Sequence, residues 1–131
     1  MHPDNFDMSY TPGDILMYWG PSVNISQLKT LYPQNKYIFS PGDYYYTDCG
    51  SGNKYGSTTW CEPYKTFWTI YQFEPSKYLN DGSVLGSEVV AFSENADDLN
   101  IHARLWPRSA AMPDKLWSPL VATDLKAISA R

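Results

Sequence analysis

Short apolar runs alternate along this chain with segments whose apolar residues recur every three or four positions. Ile15 to Trp19 is continuously apolar between Gly13-Asp14 and Gly20-Pro21, which predicts a buried strand. Ser22 or Asn24 can cap the helix that follows, where Ile25, Leu28 and Leu31 keep a three-residue spacing until Pro33 ends it. Lys36 to Ser40 reads as a second strand, and Pro41 to Pro63 as a long loop. Tyr64 to Phe73 is expected to be helical, with Tyr64, Phe67, Trp68 and Tyr71 on one side. Val84 to Phe92 is a third strand interrupted by Glu88, and Ala103 to Trp117 has helical spacing through Leu105, Ala111 and Leu116. Pro107 suits an early turn of that helix, whereas Pro113 should bend or end it.

Strand and helix in strict alternation is the signature of parallel β/α units. Three such units do not close a sheet, and the eight-stranded barrel built from them needs about 250 residues, against 131 in this chain. The last residues, from about Ala122 to Arg131, resemble the start of another amphipathic helix. The chain therefore reads as an α/β segment belonging to a larger domain.

Composition narrows the chemistry. With 43% apolar and 18% charged residues the chain is of the globular kind. A net charge of −4 and the absence of Lys/Arg blocks argue against nucleic acid and anionic membrane surfaces as partners. No apolar run approaches the roughly 20 residues of a bilayer span, and Met1-His2-Pro3-Asp4 has neither part of a signal peptide. Cys49 and Cys61 either close their Gly/Ser/Thr-rich loop as a disulfide, worth about 3 kcal/mol on chain-entropy grounds, or remain two buried thiols. Neither lies in a C-x-x-C unit, and His2 and His102 stand alone, so neither a metal site nor a cofactor is expected. Asn24-Ile25-Ser26 is an N-glycosylation sequon. The cysteine pair and the sequon both point towards an oxidising, secreted or lysosomal setting.

In β/α architectures ligands bind at the C-terminal ends of the strands. There the sequence places Trp19 after the first strand, Asp43, Tyr46 and Asp48 after the second, and Phe92 and Glu94 after the third. Rings and carboxylates without clustered cations disfavour a phosphate. They suit a polyhydroxylated neutral ligand, whose C–H faces stack on rings and whose hydroxyls donate to carboxylates. The alternative is a purely structural role for these side chains in a chain with 16% aromatic residues. Glu88 is assigned to structure, paired with Arg104 or Arg108, and Trp106 and Arg108 to locking the last helix in place.

Val84-Leu85-Gly86-Ser87-Glu88, Phe92-Ser93-Glu94, Arg104-Leu105-Trp106-Pro107-Arg108-Ser109-Ala110-Ala111 and Lys115-Leu116-Trp117-Ser118 resemble the last strand and helix of the β-N-acetylhexosaminidases of glycoside hydrolase family 20. Ser40, Tyr46-Thr47-Asp48-Cys49-Gly50-Ser51-Gly52 and Trp60-Cys61-Glu62-Pro63-Tyr64 are similar to a loop of its fungal and insect branches, and Ile15 to Trp19 to a strand ending in a pocket Trp. The resemblance runs from about Thr11 to Arg131 and implies a partial TIM (β/α)8 barrel. Residues 1–131 would be the C-terminal portion of the catalytic domain, its last three β/α units. It implies hydrolysis of terminal N-acetylglucosamine or N-acetylgalactosamine from glycoconjugates or chitin oligomers with retention, the substrate's acetamido oxygen acting as nucleophile. Tyr46 would donate to that oxygen, Trp19 would wall the acetamido pocket, Asp48 and Glu94 would hold sugar hydroxyls, Phe92 would take the place of a stacking Trp, and Trp60 would meet the next sugar. Cys49 and Cys61 match a disulfide of those branches. The complete protein would be lysosomal or secreted, and a homodimer.

Two departures accompany the resemblance. The family's Asp-Glu acid/base pair lies on a strand preceding anything here, and no Asp-Glu dipeptide occurs in these 131 residues. General-acid protonation is typically worth 10²–10⁴-fold, so these residues alone are expected to be inactive, the alternative role being a non-catalytic amino-sugar-binding remnant or a truncated product. Phe92 also presents less stacking surface than Trp and lacks an indole N–H.

Overall fold

A computed structural model describes residues 9–50, 61–93 and 96–118. Its framework is a three-stranded parallel sheet in the order β1 (Ile15–Tyr18), β2 (Lys36–Phe39), β3 (Val84–Ser87). β1 and β2 run in continuous register from Ile15 against Lys36 to Tyr18 against Phe39. Between β2 and β3 the register slips at Tyr37/Ile38, so that Tyr37 faces Val84 but Ile38 faces Gly86.

The helices cover one face of this sheet. α1 (Ile25–Leu31) follows a 3-10 turn at Ser22–Asn24 and buries Ile25 and Leu28. Neither expected cap contributes a side-chain bond to the helix start. Ser22 instead gives its amide and hydroxyl to the Asp43 carboxylate, 21 positions away. Asn24, the sequon residue, is half-buried at the start of α1. Within the segment expected to be loop lies one helical turn, α2 (Gly42–Tyr45), with Asp43 in it. α3 (Phe67–Gln72) is shorter than its apolar pattern suggests, because Thr66 caps it by accepting from the Thr69 amide at 3.1 Å. Leu16 and Tyr18 of β1, Tyr37 and Phe39 of β2, and Ile70, Tyr71 and Phe73 of the α3 region pack with Ile25 and Leu28 into one aromatic-rich core.

The segment expected as one helix over 103–117 is divided. α4 (Ile101–Leu105) stops before Pro107, a 3-10 turn spans Arg108–Ala110, and α5 (Ala111–Trp117) starts afresh. Pro113 consequently neither bends nor ends α5, but is its third residue, within the first turn where amides lack an intrahelical acceptor. Arg108 is buried and donates to the carbonyls of Lys65 at 2.8 Å and Thr47 at 3.0 Å and to that of Arg104, with its guanidinium 4.2 Å from the Tyr64 ring centre. It thus ties the C-terminal helices to the two loops that follow β2, as expected. Trp106 does not share that work: 65% exposed, it lies on the outward-facing link after α4.

Candidate functional site

Alternation along a strand sends successive side chains to opposite faces. With Leu16, Tyr18, Tyr37 and Phe39 committed to the core, Met17, Trp19 and Ser40 belong to the other face. The ladder also continues one step beyond the strands. The Ser40 amide donates to Tyr18 O at 2.7 Å and the Glu88 amide to Phe39 O at 3.0 Å. Trp19, Ser40 and Glu88 therefore follow one another across the sheet at its C-terminal end.

Tyr46 reaches this row through a second set of main-chain bonds. Val90 N donates to Tyr45 O at 2.9 Å, Thr47 N donates to Val90 O at 2.8 Å, and the Thr47 hydroxyl reaches the same carbonyl at 2.9 Å. The result is an isolated parallel bridge between Tyr46 and Val90. It sets the Tyr46 ring edge-on to Phe92, with centroids 5.4 Å apart and planes at 72°. The cavity that results has a volume of about 300 Å³. Trp19, Tyr46 and Phe92 supply its rings, Met17 and Val90 its aliphatic surface, and Ser40 and Glu88 its remaining polar groups.

Tyr46 is 3% exposed, and burial, with the nearby charges of Asp48 and Glu88, pushes its pKa up to about 12. Its phenol is thus a hydrogen-bond donor throughout the physiological range. Trp19 and Phe92, at 37% and 43% exposure, keep ring surface available to a ligand.

The structure brings together three of the residues singled out from the sequence: Trp19, Tyr46 and Phe92. Asp48 is buried two positions beyond Tyr46 and acts on it electrostatically, but does not line the cavity. Trp60 and Glu94 lie outside the described residues. Cys49 and Cys61 are joined, with Cα atoms 4.9 Å apart, beside Asp48. Disulfide sulfurs are not thiolates, so the close approach of these three residues is not a metal centre. Asp43, engaged by Ser22, belongs to the framework.

Glu88 is where sequence reasoning went astray. Among the described residues it pairs with neither Arg104, whose Nε–H donates to Asn100 Oδ1 at 3.1 Å, nor Arg108, whose terminal nitrogens donate to carbonyls. Glu88 lines the cavity instead. The signal was present as a carboxylate breaking an apolar run at a strand's C-terminal end. Ser40 and Met17 were missed because a single polar or flexible residue there carries no distinctive spacing.

Residues 4–120 match the family model described as glycosyl hydrolase family 20, catalytic domain. The chain belongs to glycosyl hydrolase family 20. Among curated relatives, it is 32% identical over 150 residues to beta-hexosaminidase 1 of Coccidioides posadasii, covering 93% of this chain and 25% of that one. It is 34% identical over 108 residues to the chitooligosaccharidolytic beta-N-acetylglucosaminidase of Ostrinia furnacalis, covering 79% and 18%. Among solved structures, the family 20 β-N-acetylhexosaminidase of Streptomyces coelicolor superposes with a TM-score of 0.74 at 21% identity, covering 95% of this chain and 27% of that one. The Vibrio harveyi family 20 exo-β-N-acetylglucosaminidase gives 0.71 at 13% identity, over 98% and 21%. These structural likenesses carry the fold. The chain thus spans about a quarter or less of the length of these relatives.

Proposed function

We propose that residues 1–131 form the last three β/α units of a family 20 TIM barrel and supply the amino-sugar-gripping part of a retaining β-N-acetylhexosaminidase. The single observation that carries this reading is the fixing of a protonated Tyr46 beside Phe92 and Trp19 in one cavity at the strands' C-terminal ends. Among the described residues the helices pack on one face of the sheet, and its other face bears this cavity, as a section of barrel wall would.

In this reading Trp19 and Phe92 hold the N-acetyl group between rings, and the Tyr46 hydroxyl donates to the acetamido oxygen. That hydrogen bond holds the oxygen facing the anomeric carbon and stabilises it as it attacks, in place of an enzyme carboxylate. Asp48, Glu94 and Trp60 complete the grip on sugar hydroxyls and the following residue. Protonation of the leaving group falls to an acid outside these residues, which contain no Asp-Glu dipeptide. Substrates are terminal N-acetylglucosamine or N-acetylgalactosamine of glycoconjugates or chitin oligomers, in a lysosomal or secreted, homodimeric protein.

The test is paired. Titration of the 131-residue chain with N-acetylglucosamine, followed by amide chemical shifts, should move Trp19, Tyr46 and Phe92 at millimolar sugar. A chromogenic N-acetyl-β-glucosaminide should not be turned over by the same sample. Hydrolysis by this chain alone would refute the division of labour, and unmoved site resonances would refute the site.

A further inference from the structure

Two polar groups of the cavity, Ser40 and Glu88, make no side-chain bond among the described residues. The Ser40 side chain is fully buried, lines the cavity, and its hydroxyl meets no hydrogen-bond partner. Glu88 stands beside it across the ladder, its side chain open to solvent at the cavity, and among the described residues no hydrogen bond or ion pair engages its carboxylate. A buried hydroxyl left unpaired is costly and rare in native proteins. Its presence next to an acceptor, in a cavity otherwise walled by rings and aliphatic groups, calls for a ligand group that both donates and accepts.

We infer that Ser40 and Glu88 are specificity-determining residues that read the far end of the N-acyl substituent, favouring an amino sugar whose acyl chain ends in a hydroxyl, such as N-glycolylglucosamine. This rests on the reading in which the N-acyl group enters between Trp19 and Phe92 with its carbonyl on Tyr46. An acetyl methyl leaves the Ser40 hydroxyl unpaired and gives the Glu88 carboxylate no donor. A glycolyl hydroxyl one bond further along donates its proton to the Glu88 carboxylate and accepts that of Ser40. Two further hydrogen bonds, one of them to a charged acceptor, correspond to about tenfold or more in affinity.

The experiment compares N-acetylglucosamine with N-glycolylglucosamine as ligands of the full 131-residue chain, by amide-shift titration of the wild type, Ser40→Ala and Glu88→Gln. The glycolyl sugar should bind about tenfold more tightly to the wild type, and each substitution should bring the affinity ratio towards one. Ser40→Ala should also raise Tm, since it removes a hydroxyl that the fold leaves unpaired. If the acetyl sugar binds but the glycolyl sugar has no advantage, or the advantage survives both substitutions, this inference fails while the amino-sugar site stands. A lowered Tm for Ser40→Ala would equally overturn it, by showing that the fold uses the hydroxyl. If neither sugar shifts Trp19, Tyr46 or Phe92, the site itself fails and the inference with it.

Discussion

Tyr46 owes its usefulness to a proton that it does not release. With a pKa pushed up to about 12 by burial and neighbouring carboxylates, its hydroxyl donates at any pH an enzyme meets. Replacing it in Tyr46→Phe deletes the donor while keeping a ring against Phe92. N-acetylglucosamine binding should then fall by about five- to tenfold, with the melting transition little changed, as titration and thermal unfolding of one sample would reveal. Burial also pushes Tyr18 and Tyr37 up to about 12 and Tyr45 higher still. In the unfolded chain these phenols titrate near pH 10, so above that the unfolded state binds fewer protons than the folded one. Their stabilising contribution is whole below about pH 10 and is lost as pH rises through about 12. Denaturant midpoints at pH 7 and 8.5 should therefore be nearly equal, and those at pH 10 and 11 progressively lower. At this scale Trp19, Tyr46 and Phe92 were legible from strand ends and family likeness. Glu88 was not, because an acidic residue within an apolar run resembles a structural ion pair until its carboxylate is seen at the cavity, unpaired with either arginine.

Secondary elements take their positions from main-chain and arginine bonds as much as from apolar packing. Arg108 reaches Thr47 O, one residue beyond the site tyrosine, and Lys65 O in the loop after Cys61. Arg108→Ala would leave two buried carbonyls without their charged donor and should destabilise the chain by about 3 kcal/mol. It should also broaden the Tyr46 and Val90 amide signals, because the loop bearing Tyr46 loses its outer anchor. A thermal melt and one amide spectrum suffice to check this. The strands and the helices after β1 and after Cys61 could be read from apolar runs bounded by Gly, Pro and Thr. The one-turn α2 could not, since four residues set no periodicity. The division of 103–117 was hidden because Leu105, Ala111 and Leu116 keep a helical spacing across a break at Pro107, which local geometry and not apolar pattern decides.

Across the whole molecule the asymmetry of the sheet dominates. Parallel sheets are ordinarily covered on both faces, yet here Ile15 and Leu85 are 57% and 54% exposed. The continuous apolar run at Ile15 to Trp19 anticipates a strand buried twice over, which is what a closed barrel would make of it. At micromolar concentration the 131-residue chain should self-associate through this face, eluting above monomer mass in light-scattering chromatography, and Met17→Lys should shift it towards monomer. Reduction of Cys49–Cys61, 12 positions apart, should lower stability by about 3 kcal/mol, read as the loss in denaturant midpoint with added dithiothreitol. The two faces of the same strands also divide labour. Residues 16, 18, 37 and 39 lie under the helices, whereas 17, 19, 40 and 88 line the cavity. Substitutions that retune the pocket thus leave the hydrophobic core intact. Ligand preference can drift along one side of each strand at little cost to folding, which makes this face of the sheet a favourable place for new specificities to evolve.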